Sequence, residues 1–98
     1  MYIIKTLPEF DKWIAGIKDR STRVRLSRRV DRAQFGNFGD VRPVGSAVFE
    51  MREFFGSGWR MYYTLRGNTI VIMLAGGDKS SQSRDIAKAI ELAAIIEE

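Results

Sequence analysis

Ninety-eight residues, 45% of them apolar, suffice for one hydrophobic core, and a single domain over residues 1–98 is expected. The chain has no cysteine and no histidine, which excludes disulfides, thiolate metal sites, the commonest metal ligand and every histidine-based triad. A net charge of +4, with eleven arginines among sixteen basic residues, points to a polyanionic or acidic partner. Arginine matters here because its fork grips a phosphate with two hydrogen bonds.

Residues 1–5 read as a short strand. Thr6 then stands as an N-cap with Glu9 three residues on, the spacing of a capping box, and Pro8 near the helix start. Phe10, Trp13, Ile14 and Ile17 form a buried stripe, so this helix is expected to run to about Lys18. Asp19 or Ser21 caps a second helix that reaches about Gln34 and stops at Gly36. Its inward stripe is Leu26, Val30 and Ala33. On the helical wheel Arg25, Arg28, Arg29 and Arg32 project within about 100° of one another on the other side. They mark either a partner-binding surface or a solvated face, with Asp31 offsetting part of the charge.

Residues 36–45 form a glycine-rich connection without the spacing of a nucleotide cradle; Phe38, Val41 and Val44 are expected to tuck beneath it. Three strands follow, at about 48–54, 59–66 and 69–75, joined by Gly56-Ser57-Gly58 and by the two-residue hairpin loop Gly67-Asn68. In the second, Trp59, Met61, Tyr63 and Leu65 point one way and Arg60, Tyr62, Thr64 and Arg66 the other. The first set makes a core face, the second a polar face. The third, Ile70 to Ala75, is apolar on both faces and suits a central strand. Gly76-Gly77-Asp78-Lys79-Ser80-Ser81-Gln82 is then an abrupt polar loop with amides and a lysine available to an anion. A last helix over 80–98 carries Ile86, Ile90, Ala93 and Ala94 on its inner stripe. The order is β-α-α-β-β-β-α: an α+β domain with an antiparallel-rich sheet and its helices segregated on one side. No apolar run spans a membrane and the N-terminus lacks a signal-peptide layout, so a cytoplasmic location is expected.

These residues carry a resemblance over nearly the whole chain. Glu9-Phe10-Asp11-Lys12-Trp13, the connection 36–45 and Glu50-Met51-Arg52 belong to it. So do Gly58-Trp59-Arg60-Met61-Tyr62-Tyr63 and the loop 76–82 with Arg84-Asp85-Ile86 behind it. In order and spacing the chain resembles the RelE/ParE superfamily of type II toxins, most closely its HigB-like addiction-module killer proteins, related to a phage-derived Gp49-like group. The resemblance implies an endoribonuclease that cuts mRNA, usually on the ribosome, so inhibiting translation. It implies silencing by an antitoxin, a small helix-turn-helix protein encoded alongside. No metal or cofactor is implied, since the RNA's own 2′-hydroxyl attacks phosphorus while the protein orients the phosphate and stabilises its charge. Arg60, Lys79 and Arg52 match the family's phosphate-handling positions, and Tyr62, Arg66 and Arg84 are candidate RNA contacts, Tyr62 as a base-stacking or proton-relay group. This chain departs from ribonuclease relatives that carry lysines on the first meander strand or a histidine near the C-terminus. The departure keeps two alternatives open: a ParE-like, non-enzymatic inhibitor of DNA gyrase, and an inactive toxin that only binds its antitoxin.

Overall fold

The computed structural model describes residues 1–96. The elements are β1 (Ile3–Thr6), α1 (Pro8–Ala15), α2 (Arg20–Ala33), β2 (Val41–Gly45), β3 (Val48–Arg52), β4 (Arg60–Arg66), β5 (Ile70–Gly77), a 3-10 turn (Lys79–Ser81) and α3 (Gln82–Ile95). The strands form one sheet in the order β1-β5-β4-β3-β2. β1 runs parallel to β5, and every other neighbouring pair is antiparallel. This is the expected α+β architecture with one strand more. β2 falls inside the glycine-rich connection, where Gly45 and Pro43 hid it. As the edge strand it needs no second ladder, so a proline without an N–H is tolerated.

Strand alternation divides the interior in two. Met51, Met61, Tyr63, Val71 and Met73 meet Phe10, Ile17, Leu26, Val30 and Ala33 on one face of the sheet. Val48, Tyr62, Ile72, Leu74 and Ala75 meet Ala89, Leu92 and Ala93 on the other. The expected segregation of all helices on one side is therefore corrected: α1 and α2 cover one face and α3 the opposite one. β5 is apolar on both faces because it is covered on both.

Local signals explain most boundaries. Asp19 caps α2, accepting from the Thr22 backbone N–H at 3.2 Å and its hydroxyl at 2.6 Å. Thr6 does not cap α1. It pairs with Met73 in the sheet, Leu7 takes the N-cap position without a side-chain bond, and α1 ends at Ala15 rather than Lys18. Gly67 and Asn68 both have positive φ (60° and 63°), the backbone of a tight two-residue hairpin loop. The last helix begins through the 3-10 turn, and its buried stripe is Ala89, Leu92 and Ala93, with Ala94 exposed. Residues 97–98 of the expected helix lie outside the described residues.

Gly76 and Gly77, the end of β5, are where helices from both sides touch the sheet. A Cβ on Gly76 would stand 2.3 Å from the Trp13 ring of α1, and one on Gly77 would stand 1.7 Å from the Asp85 carboxylate of α3. Only hydrogen fits at either place.

Candidate functional site

The C-terminal ends of β3 and β5 and the start of β4 lie at the same end of the sheet, since Arg52 pairs with Arg60 and Arg60 with Gly77. There the β3–β4 turn and the loop after β5 enclose a cleft of about 390 Å³. Arg52, Glu53, Phe54, Arg60 and Lys79 contribute its side chains, with Gly56, Ser57 and Gly58 forming one wall. Three of the expected residues, Arg52, Arg60 and Lys79, thus converge from three separate elements. Gly58 permits the approach: its φ is 76°, and a Cβ there would sit 3.2 Å from Lys79 Cβ and 3.5 Å from Arg60 Nη1. The Lys79 amide donates to Ser57 O at 3.3 Å, pinning the two loops together. Asp78 caps the 3-10 turn that carries Lys79; hydrogen bonds from Ser80, above all from its hydroxyl, hold its carboxyl below the ordinary 3.8.

Arg60 is 4% exposed. Its Nη1 donates to the carbonyls of Gly58 (3.0 Å), Glu53 (3.2 Å) and Trp59 (3.3 Å), which fixes the plane of the guanidinium. Behind it lies Glu50, fully buried. Oε1 of Glu50 accepts from Arg42 Nε at 3.0 Å, and the Nε atoms of Arg52 and Arg60 each stand 3.9 Å away. Oε2 accepts from Gln82 Nε2 at 2.9 Å and the Tyr62 hydroxyl at 3.0 Å. Burial pushes the Glu50 carboxyl up, but the hydrogen bonds from Gln82, Arg42 and Tyr62 and the charge of Arg42 outweigh it and hold the pKa below 4.5. Nε of both Arg52 and Arg60 is buried without a hydrogen-bond partner. Three guanidinium groups are thus gathered around one carboxylate, with charge to spare for an anion in the cleft.

Glu53 is the cleft's one acid among the described residues, and Arg29 reaches it from α2 with Nη1 2.7 Å from Oε2. Arg29 is 7% exposed and also donates to Asp40 O at 2.6 Å, to Phe38 O at 3.0 Å and to the Arg52 carbonyl. It is a clamp between α2, the connection and the cleft wall, and its side chain has left the exposed arginine face. Arg25, Arg28 and Arg32 remain exposed, with the Arg25 guanidinium 3.6 Å above the Phe55 ring of the β3–β4 turn.

The other expected contacts are not in the cleft. Tyr62 is fully buried beneath α3, its hydroxyl pushed well above its ordinary 10.0 by burial and by Glu50, so no base can stack on it. Arg66, at the far end of β4, donates to Ala93 O at 2.9 Å and to Thr64 Oγ1 at 3.0 Å, bracing α3. Arg84 is exposed on α3 and does not line the cleft. Sequence reasoning offers Glu50 as an ion-pair partner of Arg52 or Arg60, and both approach it, but misses that the same carboxylate also takes Arg42, Tyr62 and Gln82. The cross-strand pairing of Arg42 with Glu50 was the available signal, hidden with β2.

A larger groove of about 920 Å³ runs between α1, β5 and α3. Its lysines (Lys12, Lys18, Lys88) are matched by as many acids (Glu9, Asp19, Asp85), so its charge cancels where that of the smaller cleft does not. Among the described residues no His, Cys, Asp or Glu side chains gather into a metal-binding group, and no helix is long and apolar enough to cross a membrane.

An α+β sheet in this strand order, with α1 and α2 on one face and α3 on the other, is a RelE-like fold. The chain superposes on a free-state mutant of the Escherichia coli toxin RelE with a TM-score of 0.72, at 14% identity, covering 97% of this chain and 98% of that one. It also matches a chain of the intact E. coli RelBE toxin–antitoxin complex, with a TM-score of 0.62 at 13% identity over 80% of this chain and 96% of that one. No family model matches the chain. An uncharacterized protein of Haemophilus influenzae is 42% identical over 90 residues, 92% of this chain and 91% of its own length, and the chain belongs to the same family as that protein.

Proposed function

We propose that this protein is the toxin of a type II toxin–antitoxin pair and an endoribonuclease that cleaves mRNA, on the ribosome, and so stops translation. The observation that carries the reading is the convergence of Arg52, Arg60 and Lys79 on one open cleft, with Arg60 locked by three backbone carbonyls. A guanidinium fixed before the substrate arrives stabilises charge on a phosphate without reorganising at the moment of reaction. The RelE-like fold, in which the known neighbours are a toxin and its complex with an antitoxin, supports the same assignment.

In this reading Arg60 and Arg52 orient the scissile phosphate and Lys79 neutralises its non-bridging oxygens. Glu53 Oε1, which has no hydrogen bond among the described residues, takes the 2′-hydroxyl proton, while Arg29 on Oε2 offsets the repulsion between carboxylate and phosphate. The 2′-oxygen bonds to phosphorus, the bond to the 5′-oxygen breaks, and that oxygen takes a proton from solvent, to which Glu53 returns the proton it accepted. The products are a 2′,3′-cyclic phosphate and a 5′-hydroxyl. The antitoxin, a small helix-turn-helix protein with an acidic segment, covers the basic surface electrostatically.

The test is induction in cells, following bulk translation and transcript 5′ ends against DNA breaks. New 5′-hydroxyl ends and a halt in translation are expected. Lys79→Ala, an exposed substitution that spares the fold, is expected to relieve arrest, as is Arg60→Ala where the protein still accumulates. DNA damage with transcripts and translation untouched would overturn the reading in favour of a gyrase poison.

A further inference from the structure

We propose that Phe54 is the platform on which a base of the bound strand stacks, on the nucleotide whose phosphate Arg52 holds; this rests on the RNA-cleaving reading and gives that site its base contact. Phe54 is 74% exposed, among the most exposed large apolar side chains of the described residues, and it lines the cleft beside Arg52, Arg60 and Lys79. Its neighbour Phe55 turns inward against the core, under Arg25. The turn has thus solved the burial of one phenylalanine and left the other in water at the mouth of a basic site.

The backbone beneath Phe54 is held on three sides. Glu53 N–H donates to Trp59 O at 2.9 Å, Gly58 N–H to Phe55 O at 3.1 Å, and Lys79 N–H to Ser57 O at 3.3 Å. A ring presented on a fixed turn loses little freedom when a base settles on it. The Arg52 guanidinium lies over one face of the ring, 5.4 Å from its centre, and with Phe54 74% exposed the opposite face is the one a base can take. That is the two-part grip single-stranded nucleic acid calls for, a positive group on the backbone and a π-face for the base. Arg52 alone serves an acidic peptide equally well; the flat exposed ring beside it favours the nucleobase. Tyr62, the aromatic residue that the sequence singles out for stacking, is shut beneath α3.

The experiment uses a labelled single-stranded oligoribonucleotide, 2′-O-methylated to prevent cleavage, and fluorescence anisotropy with the full chain. Phe54→Ala is expected to bind about tenfold or more weakly, the loss typical of one base–aromatic stack, with an unchanged melting curve. Phe54→Trp should restore the affinity, and its added emission should be quenched on binding. Moving a single abasic nucleotide along the strand should reveal one position where wild-type binding falls to the Phe54→Ala level and the variant loses nothing more. RNA binding within twofold of wild type in Phe54→Ala, or abasic losses equal in both proteins, would overturn the stacking role alone. A wild-type protein that binds no RNA would overturn the cleavage reading together with it. Weakened binding of an acidic antitoxin peptide to Phe54→Ala, with RNA binding unchanged, would reassign the ring to the protein interface.

Discussion

Replacing Glu50 with glutamine keeps the shape of the side chain and removes the one negative charge among Arg42, Arg52 and Arg60. At the effective dielectric constant of about 20 that suits such sites, a unit charge 3.0 to 3.9 Å from Nε attracts each arginine by about 4–6 kcal/mol before desolvation is subtracted. Arg42 is half exposed, so its share shrinks further. What survives is the cost of leaving a buried ion cluster unpaired, about 3–5 kcal/mol. For a domain of this length each kilocalorie shifts the melting temperature by about 4–8 °C. The Tm of Glu50→Gln should therefore fall by at least about 12 °C in a thermal melt followed by circular dichroism near neutral pH. The pH dependence has a definite sign. The Glu50 pKa is depressed on folding, so its stabilisation is present above the ordinary 4.5 and is lost as pH falls through the folded value. Wild type should lose stability in that window, and Glu50→Gln should show a shallower slope. It will not be flat, because Asp19 and Asp78 are also held low, by Thr22 and Ser80 respectively. A Tm change under about 3 °C, or an undiminished acid slope, would refute the account of Glu50 as the hub.

Gly76→Ala should cost at least about 1–3 kcal/mol in urea unfolding, because its Cβ meets a ring held between α1 and the sheet. Gly77→Ala should cost less, since the Asp85 carboxylate can swing aside where the Trp13 ring cannot; equal or reversed costs would contradict that packing. Arg29→Met removes a donor from four acceptors, of which Asp40 O keeps the Arg52 N–H, and leaves Glu53 unpaired, so a loss of about 3–5 kcal/mol is expected in the same assay, whereas Arg28→Met, on the exposed face, should stay within about 0.5 kcal/mol. Equal effects of the two would mean that Arg29 is no clamp.

The meander was legible because its strands alternate cleanly and its hairpin loop is Gly67-Asn68. Two things were not, and each has a physical reason. Arg60, Tyr62, Thr64 and Arg66 read only as a polar face opposite the core. Each instead has an internal partner, in Glu53 O, Glu50, Ala47 O and Ala93 O, and it is such hydrogen bonds that let a polar side chain leave water. A helical wheel also treats Arg29 as a point on a circle. Its long stem carries the guanidinium to acceptors in β3 and the connection, a reach that no periodicity encodes. Of the expected site residues, the three phosphate-handling ones, Arg52, Arg60 and Lys79, meet in space across the two loops, and the expected RNA contacts Tyr62, Arg66 and Arg84 lie outside the cleft.

The basic residues therefore divide into two physical kinds, and the division carries over to function. Arg60 is immobilised, and Arg52 has its Nε buried against Glu50, so neither has much side-chain entropy left to lose on meeting a phosphate. Arg25, Arg28 and Arg32 lie in water on α2, where salt screens them within about 8–10 Å. They suit long-range attraction of a polyanion or an acidic partner, and their loss would slow association and flatten its salt dependence. On the proposed ribonuclease reading the anchored pair holds one phosphate in one orientation, and its loss is expected to appear in the chemical step. A chain with no histidine can still position a reaction in this way, because its contribution lies in fixed charge: one buried carboxylate holds in place more positive charge than it neutralises.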